Sequence, residues 1–283
     1  MTPGSTRRVW IVGPVAWDTV VYLPQLPAPG RFTQGERTLE RPGGTAGNVA
    51  LALATTGVET GFIGCLGEDD HGRRLHQTLQ SGGLRRLAIT WVPGHTHHVL
   101  ILVDRTGERT MVGLAPHHLA EVTLDGADLA PGDIVVFVVW DDGLLAQLEL
   151  AKAKGCTTIV GLAAIACPAA SADIAFGSRS DLSGDLDPSS HLDRFPRIVI
   201  TQGSDGAVQV EAGRTLHQPA FPADVVDTTG AGDAFLAGYL ALYARGLTDG
   251  TDALEAGARW AALTVSVESS VPPAWSGGRP TVG

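Results

Sequence analysis

The sequence is short of several things, and each shortage removes a class of protein. It has three cysteines, Cys65, Cys156 and Cys167, in 283 residues. The number is odd and the spacing fits no zinc or redox motif, so buried free thiols in a reducing cytoplasm are expected rather than a disulfide framework. Basic residues are few: 20 Lys and Arg against 30 Asp and Glu give a net charge of −10. No basic stripe runs along any segment, which argues against a nucleic-acid partner. No apolar run reaches the ~18 residues of a membrane span. Arg7-Arg8 precedes only a short apolar run, not a signal-peptide pattern, so a cytoplasmic location off the membrane is expected. His97-His98 and His117-His118 stand without further ligands at metal spacing, so no metal site is expected there. No internal repeat is present.

What the chain has in quantity is apolar residues, at 44%, and glycine, at 36 residues. That is enough to bury a sizeable core, and the length suits one large α/β domain or two small ones. Val9 to Val12 reads as a buried strand, with Val20 to Leu23 following and a Pro-rich turn from Pro24 to Gly30. Pro42-Gly43-Gly44 then breaks the chain. From Ala46 to Thr56, apolar residues recur at helical spacing, with Gly57 as terminator. Thr60–Leu66, Ile134–Val139, Thr157–Leu162 and Ile198–Thr201 read as strands. Gly72–Gln80, Leu144–Lys154 and Ala231–Arg245 read as helices. Such alternation predicts a mostly parallel sheet covered on both faces. Residues 96–113 break it: two β-prone runs flank Asp104-Arg105-Thr106-Gly107, a hairpin signature. With the polar stretch 31–41 they are expected to form a small accessory sheet. Residues 163–195 carry no clear pattern.

The chemistry concentrates in Asp227-Thr228-Thr229-Gly230-Ala231-Gly232-Asp233. The glycines let backbone N–H groups approach a ligand, and a helix starting near Ala231 leaves its first amides free, which makes an anion site. Asp233 in the first turn sets a carboxylate beside that site. Phosphoryl transfer to an alcohol needs this pair: donors for the transferred group and a base for the hydroxyl proton. A lone Gly-x-Gly-Asp would read equally well as a capped turn.

The whole string, continued through Gly238, resembles the C-terminal signature of the ribokinase-like carbohydrate kinases, the PfkB family. Gly43-Gly44-Thr45-Ala46-Gly47-Asn48, with Phe62-Ile63-Gly64 and Gly67-Glu68-Asp69-Asp70-His71-Gly72, resembles the N-terminal signature, in the correct order. The resemblance implies a three-layer α/β/α sandwich over residues 1–283 as a single domain, with lid strands near 31–41 and 96–113. It implies an ATP- and Mg²⁺-dependent kinase acting on a hydroxyl of a small sugar or nucleoside. By similarity Asp233 is the base, and Gly230, Ala231 and Gly232 form the anion hole. Asp18, Gly43, Gly44 and Asn48 meet the substrate. Thr201, Gly203 and Gly206 form the nucleotide loop. Trp17, beside Asp18, either stacks on a substrate ring or packs in the core, and Trp140 ends a strand on the ligand side of such sheets.

Two departures stand out. The family's Asn-x-x-Glu, near metal and phosphates, has its best counterpart in Ser178 and Asp181. The loop from Ser266 to Pro272 lacks the usual Gly-Ala, so a K⁺ site rests on Asp227 and Thr229 alone. A non-catalytic binding member of the fold is the main rival. A dinucleotide enzyme is disfavoured because Gly13 is followed by Pro14-Val15-Ala16. The acceptor stays open among ribose, fructose, other ketoses, sugar acids and nucleosides. Few Lys or Arg lie in the substrate motifs, but Arg31, Arg37, Arg41 and Arg109 keep a sugar phosphate in play. A homodimer through the lid strands is a further expectation.

Overall fold

The computed structural model describes residues 6–106, 109–182, 187–267 and 273–275. In chain order the strands are β1 (Val9–Val12), β2 (Ala16–Tyr22), β3 (Arg37–Gly43), β4 (Thr60–Gly67), β5 (Arg86–Val92), β6 (His98–Val103), β7 (Arg109–Ala115), β8 (Ile134–Phe137), β9 (Thr157–Gly161), β10 (Ile174–Ser178), β11 (Arg197–Thr201), β12 (Ala207–Glu211) and β13 (Arg214–Gln218). The helices are α1 (Thr45–Ala54), α2 (Asp70–Ser81), α3 (Leu145–Ala153), α4 (Ala231–Tyr243) and α5 (Thr251–Val265).

Nine strands form one sheet in the order β13-β12-β11-β10-β9-β8-β1-β4-β5. Every pairing from β11 to β5 is parallel, and the two at the other edge, β11–β12 and β12–β13, are antiparallel. Side chains alternate across a strand, and β1 shows the consequence. Val9 and Ile11 enter one apolar cluster with α1, α4, α5 and the Leu75/Leu79 stripe of α2. Trp10 and Val12 enter a second cluster with Leu144, Leu148 and Ala151 around α3. Both faces are therefore covered, which is why β1 and β8 are apolar throughout. This is the three-layer α/β/α sandwich expected from the alternation.

The second sheet has four strands in the order β3-β2-β6-β7. The hairpin expected at 96–113 is β6–β7; its turn is held by the Thr106 N–H donating to Asp104 Oδ1 at 2.8 Å, and Gly107 and Glu108 lie outside the described residues. The expected strand in 31–41 is displaced to Arg37–Gly43. More consequentially, β2 leaves the main sheet and pairs with both β3 and β6. Its sequence, Ala-Trp-Asp-Thr-Val-Val-Tyr, is β-prone from Ala16 onward. Asp18 masked that start, because a carboxylate inside a strand reads as a turn until a cleft is known to face it.

Residues 163–195 conceal β10, whose five residues pair with β9 and β11. Strand β5, the β12–β13 hairpin and α5 were not anticipated either. α5 is built largely on alanine, burying Ala253, Ala256, Ala258 and Ala262, and small residues give a faint periodic signal. All three cysteines are buried and unpaired. Among the described residues no helix is long and apolar enough to cross a membrane.

Candidate active site

The first parallel strand ends at Val12, and the chain leaves the main sheet there to build β2 and β3 over the carboxyl ends of the neighbouring strands. Ligands in open parallel sheets bind at that edge. The helices entering it are α1 and α4, which pack on each other.

α4 begins at Gly230, an N-cap with φ 76° and no side-chain cap. Among the described residues the Gly232 and Asp233 amides have no backbone acceptor, so they remain available to an anion. The preceding loop is held rigidly. Asp227 Oδ1 accepts from the Thr229 N–H at 2.8 Å and from the Thr229 hydroxyl at 2.6 Å. The Val226 and Asp227 amides both donate to the Val265 carbonyl, at 2.7 and 3.2 Å, which ties the loop to the end of α5.

Asp233 stands in the first turn of α4, and Asn48 of α1 reaches it: Asn48 Nδ2 donates to Asp233 Oδ2 at 2.7 Å. The two signature segments, 185 residues apart in sequence, thus meet through one hydrogen bond. Burial pushes the Asp233 carboxyl up to about 6, while the Asn48 hydrogen bond pulls the other way. Asp233 is half-buried and keeps contact with solvent on the cleft side. A carboxylate so placed is ionised near neutral pH yet is a stronger base than an exposed aspartate.

Asp18 of β2 forms the other wall. It is only 6% exposed, and burial raises its carboxyl to about 6 against the charge of Arg41. Gly43 explains how it fits: a Cβ there would stand 2.0 Å from Asp18 Oδ2. Gly44 has φ 84°, and a Cβ on it would meet Ala16 N and Val15 Cα at 2.8 Å. The double glycine is thus what lets β3 turn into α1 directly beneath the Asp18 carboxylate.

Two cavities meet beside Gly232, at the start of α4. One, of about 450 Å³, is lined by Thr45, Trp140, Gly161, Ser178, Asp181, Thr201, Gly232 and Asp233 among others. The second, of about 720 Å³, is lined by Thr201, Gly203, Gly206, Phe221, Thr228, Ala231, Gly232, Ala258, Ala262 and Val265 among others. Ser178, Thr201 and Gly232 line both. The larger one is mostly apolar with hydroxyls at its inner end, the form of a site for a flat heterocycle with a polar tail.

The expected site residues distribute as follows. Asp233, Gly232, Trp140, Ser178, Asp181 and Thr201 share the smaller cavity, and Ala231, Gly203 and Gly206 line the larger. Gly230 caps the helix between them. Ser178 and Asp181 form a reciprocal capping box, Asp181 Oδ2 accepting from the Ser178 N–H at 2.7 Å. Trp140 Nε1 donates to Asp142 at 3.0 Å. Trp17 is not brought to the cleft with the others. Strand alternation turns it to the face opposite Asp18, where it stacks on His71 of α2 with centroids 5.2 Å apart. Among the described residues no group of three His, Cys, Asp or Glu is arranged to hold a metal ion. The loop expected to complete a K⁺ site lies largely outside the described residues, which stop at Val267 and resume at Pro273.

Two contributors were visible only as members of a loose arginine group. Arg109 of β7 donates to the hydroxyls of Thr229 and, at 3.0 Å, Thr228, and its Nη1 lies 3.6 Å from Asp227. This ties the second sheet to the loop before α4. Arg41 sits opposite Asp18 in the β2–β3 register. Phe221, which lines the larger cavity under the Arg259 guanidinium, 4.2 Å from its ring centre, carried no sequence signal at all.

Residues 7–276 match the model of the pfkB family carbohydrate kinases. The chain is 32% identical to the ATP-dependent ribose-1-phosphate kinase of Halopiger xanaduensis, over 93% of each chain. It is 33% identical to the aminoimidazole riboside kinase of Salmonella typhimurium, covering 83% of this chain and 81% of that one. Among solved structures, a ribokinase from Thermotoga maritima superposes with a TM-score of 0.80 at 22% identity, covering 95% of this chain and 97% of the other.

Proposed function

The chain belongs to the pfkB family of carbohydrate kinases, and from that membership we propose that it transfers the γ-phosphoryl group of ATP to a hydroxyl of a small sugar or sugar-like molecule, with Asp233 as the base. The observation that carries this reading is the position of Asp233: in the first turn of a helix with free first-turn amides, hydrogen-bonded to Asn48, and next to Gly232, which lines both cavities.

In this reading the larger cavity takes the nucleotide, with the adenine against Phe221 and the alanines of α5 and the phosphates directed to Thr201 and Gly232. The acceptor lies between Asp18 of β2, Asn48 of α1 and the Asp233 end of the smaller cavity. Asp18 and Asn48 accept and donate to its hydroxyls and aim one of them at the γ-phosphorus. Asp233 takes that hydroxyl proton, the oxygen bonds to phosphorus, the bond to the β-phosphate oxygen breaks, and ADP leaves. The amides at the start of α4 stabilise charge on the transferred group as it passes. Trp140 forms part of the acceptor wall.

Mg²⁺ fits as the nucleotide's companion. Asp181 lines the smaller cavity and gives one oxygen, Oδ2, to the Ser178 N–H, which leaves Oδ1 as a hard oxygen for a hydrated ion. The ion would supply charge neutralisation for the phosphates. K⁺ fits less well: Arg109 already stands against Asp227, so we assign no K⁺ requirement to Asp227 and Thr229. The second sheet acts as a lid, latched by Arg109 to the loop before α4. Its outer strand exposes Met111, Val112 and Leu114, which favours a homodimer through lid edges.

The test is consumption of ATP against a panel of alcohols, ribose, fructose, other ketoses, sugar acids and nucleosides, with product identified by mass. A steady ADP yield dependent on one acceptor supports the reading. ATP binding with no acceptor-dependent turnover favours the non-catalytic alternative.

A further inference from the structure

Arg41 is unexplained by a neutral sugar. It is directly opposite Asp18 on antiparallel strands, so both side chains leave the same face of the lid, the face over Gly43. Its Nε is buried without a hydrogen-bond partner. It acts on Asp18 by charge, yet no hydrogen bond joins them among the described residues. A second buried atom without a partner, Asn48 Oδ1, follows seven residues later on the same wall. Unpaired polar atoms in such a place are costly, and a ligand that pairs them recovers the cost. Asp18 and Asn48 already serve hydroxyls. A guanidinium adds a flat, fixed set of donors that matches a phosphate or carboxylate. In a chain of net charge −10, an anionic acceptor also needs local compensation of this kind.

We propose that the acceptor carries an anionic group, phosphate or carboxylate, at a carbon away from the reacting hydroxyl, and that Arg41 binds it. Arg41 is then the specificity-determining residue of the lid face, and Asp18 beside it keeps the guanidinium in place when the site is open. The proposal rests on the kinase reading above and narrows its substrate class.

The experiment measures ADP release with matched acceptors: ribose, ribose 1-phosphate and ribose 5-phosphate; fructose and fructose 6-phosphate; glucose and gluconate. The best acceptor is expected to be anionic, with kcat/KM at least ~10-fold above its neutral parent, as charge-assisted pairing implies. The phosphate and carboxylate arms decide which anion is read. Arg41→Gln should lower kcat/KM for that acceptor by ~10- to 100-fold, mainly through KM, and lower it for the neutral parent by a clearly smaller factor. Arg41→Lys should restore part of the loss, and thermal melts of both variants show whether they fold. A neutral sugar as best acceptor, or equal losses on neutral and anionic acceptors in a folded Arg41→Gln, overturns the proposal and leaves the kinase reading standing. ADP release with none of these acceptors overturns the proposal, and ADP release with none of the wider alcohol panel above removes the kinase reading too.

Discussion

Replacing Asn48 by Leu should move the acid limb of the pH–rate profile by one to two pH units. Asn48 donates 2.7 Å to Asp233, and that bond lowers a carboxyl that burial otherwise raises to about 6. A hydrogen bond to a charged group contributes about 1.5–3 kcal/mol, and each pH unit corresponds to ~1.4 kcal/mol. Leu keeps the branched heavy-atom shape of Asn with bulkier ends, leaves no room for a replacing water, and gives up a carbonyl oxygen that has no partner to lose. The carboxyl should therefore rise from about 6 to ~7–8. The assay is kcat/KM for the best acceptor between pH 5 and 9, which reports ionisations of the free enzyme. The variant should lose several-fold at pH 7 by ionisation alone and recover that part by pH 9. Any loss from Asn48's contact with the acceptor is independent of pH and separates cleanly. A limb that stays near 6 would refute the coupling between the two signature segments.

Three further outcomes follow from the same geometry. Asp18 has a folded-state value of about 6 against an ordinary 3.8, so the folded chain binds this proton more tightly than the unfolded chain. Its stabilising contribution is complete below ~3.8 and is lost as pH rises through about 6, a cost of up to ~3 kcal/mol at pH 8. Asp18→Asn should thus raise the melting temperature by several degrees at pH 8 and by nothing near pH 4 while impairing turnover; equal melts at pH 8 would contradict the burial argument. Gly43→Ala forces a methyl to within 2.0 Å of the Asp18 carboxylate and should reduce kcat/KM by ~100-fold through misplacement, seen in steady-state kinetics; near-normal kinetics would show that Asp18 need not lie over Gly43. Arg109→Ala should cut kcat/KM by ~5- to 10-fold with little change in melting temperature, since partly exposed ion pairs stabilise by only ~0.2–1 kcal/mol; unchanged kinetics would remove the latch.

The legible part of the molecule was the part written in regular patterns. Val9–Val12 and Ile134–Phe137 are continuous apolar runs because both faces of the sheet are covered. Asp227 to Asp233 was readable because the whole string resembles a family signature; its Gly-rich turn alone would have read equally well as a helix cap. β2 was hidden by Asp18, whose charge is sensible in a strand only when a cleft faces it. α5 was hidden by alanines chosen for close packing on α4. Trp17 shows the limit of adjacency in sequence: one step along a strand reverses the face, and the ring goes to His71 while its neighbour Asp18 meets the cleft. Arg41 and Arg109 needed the β2–β3 and β6–β7 registers before their positions had meaning.

The central claim is that Asp233 takes the acceptor's proton. Its most direct test is single-turnover phosphoryl transfer by Asp233→Asn, with ATP and acceptor saturating and the fold verified by thermal melt. The account predicts a rate lower by ~10²- to 10⁴-fold. A folded variant that transfers phosphate at close to the normal rate would contradict it.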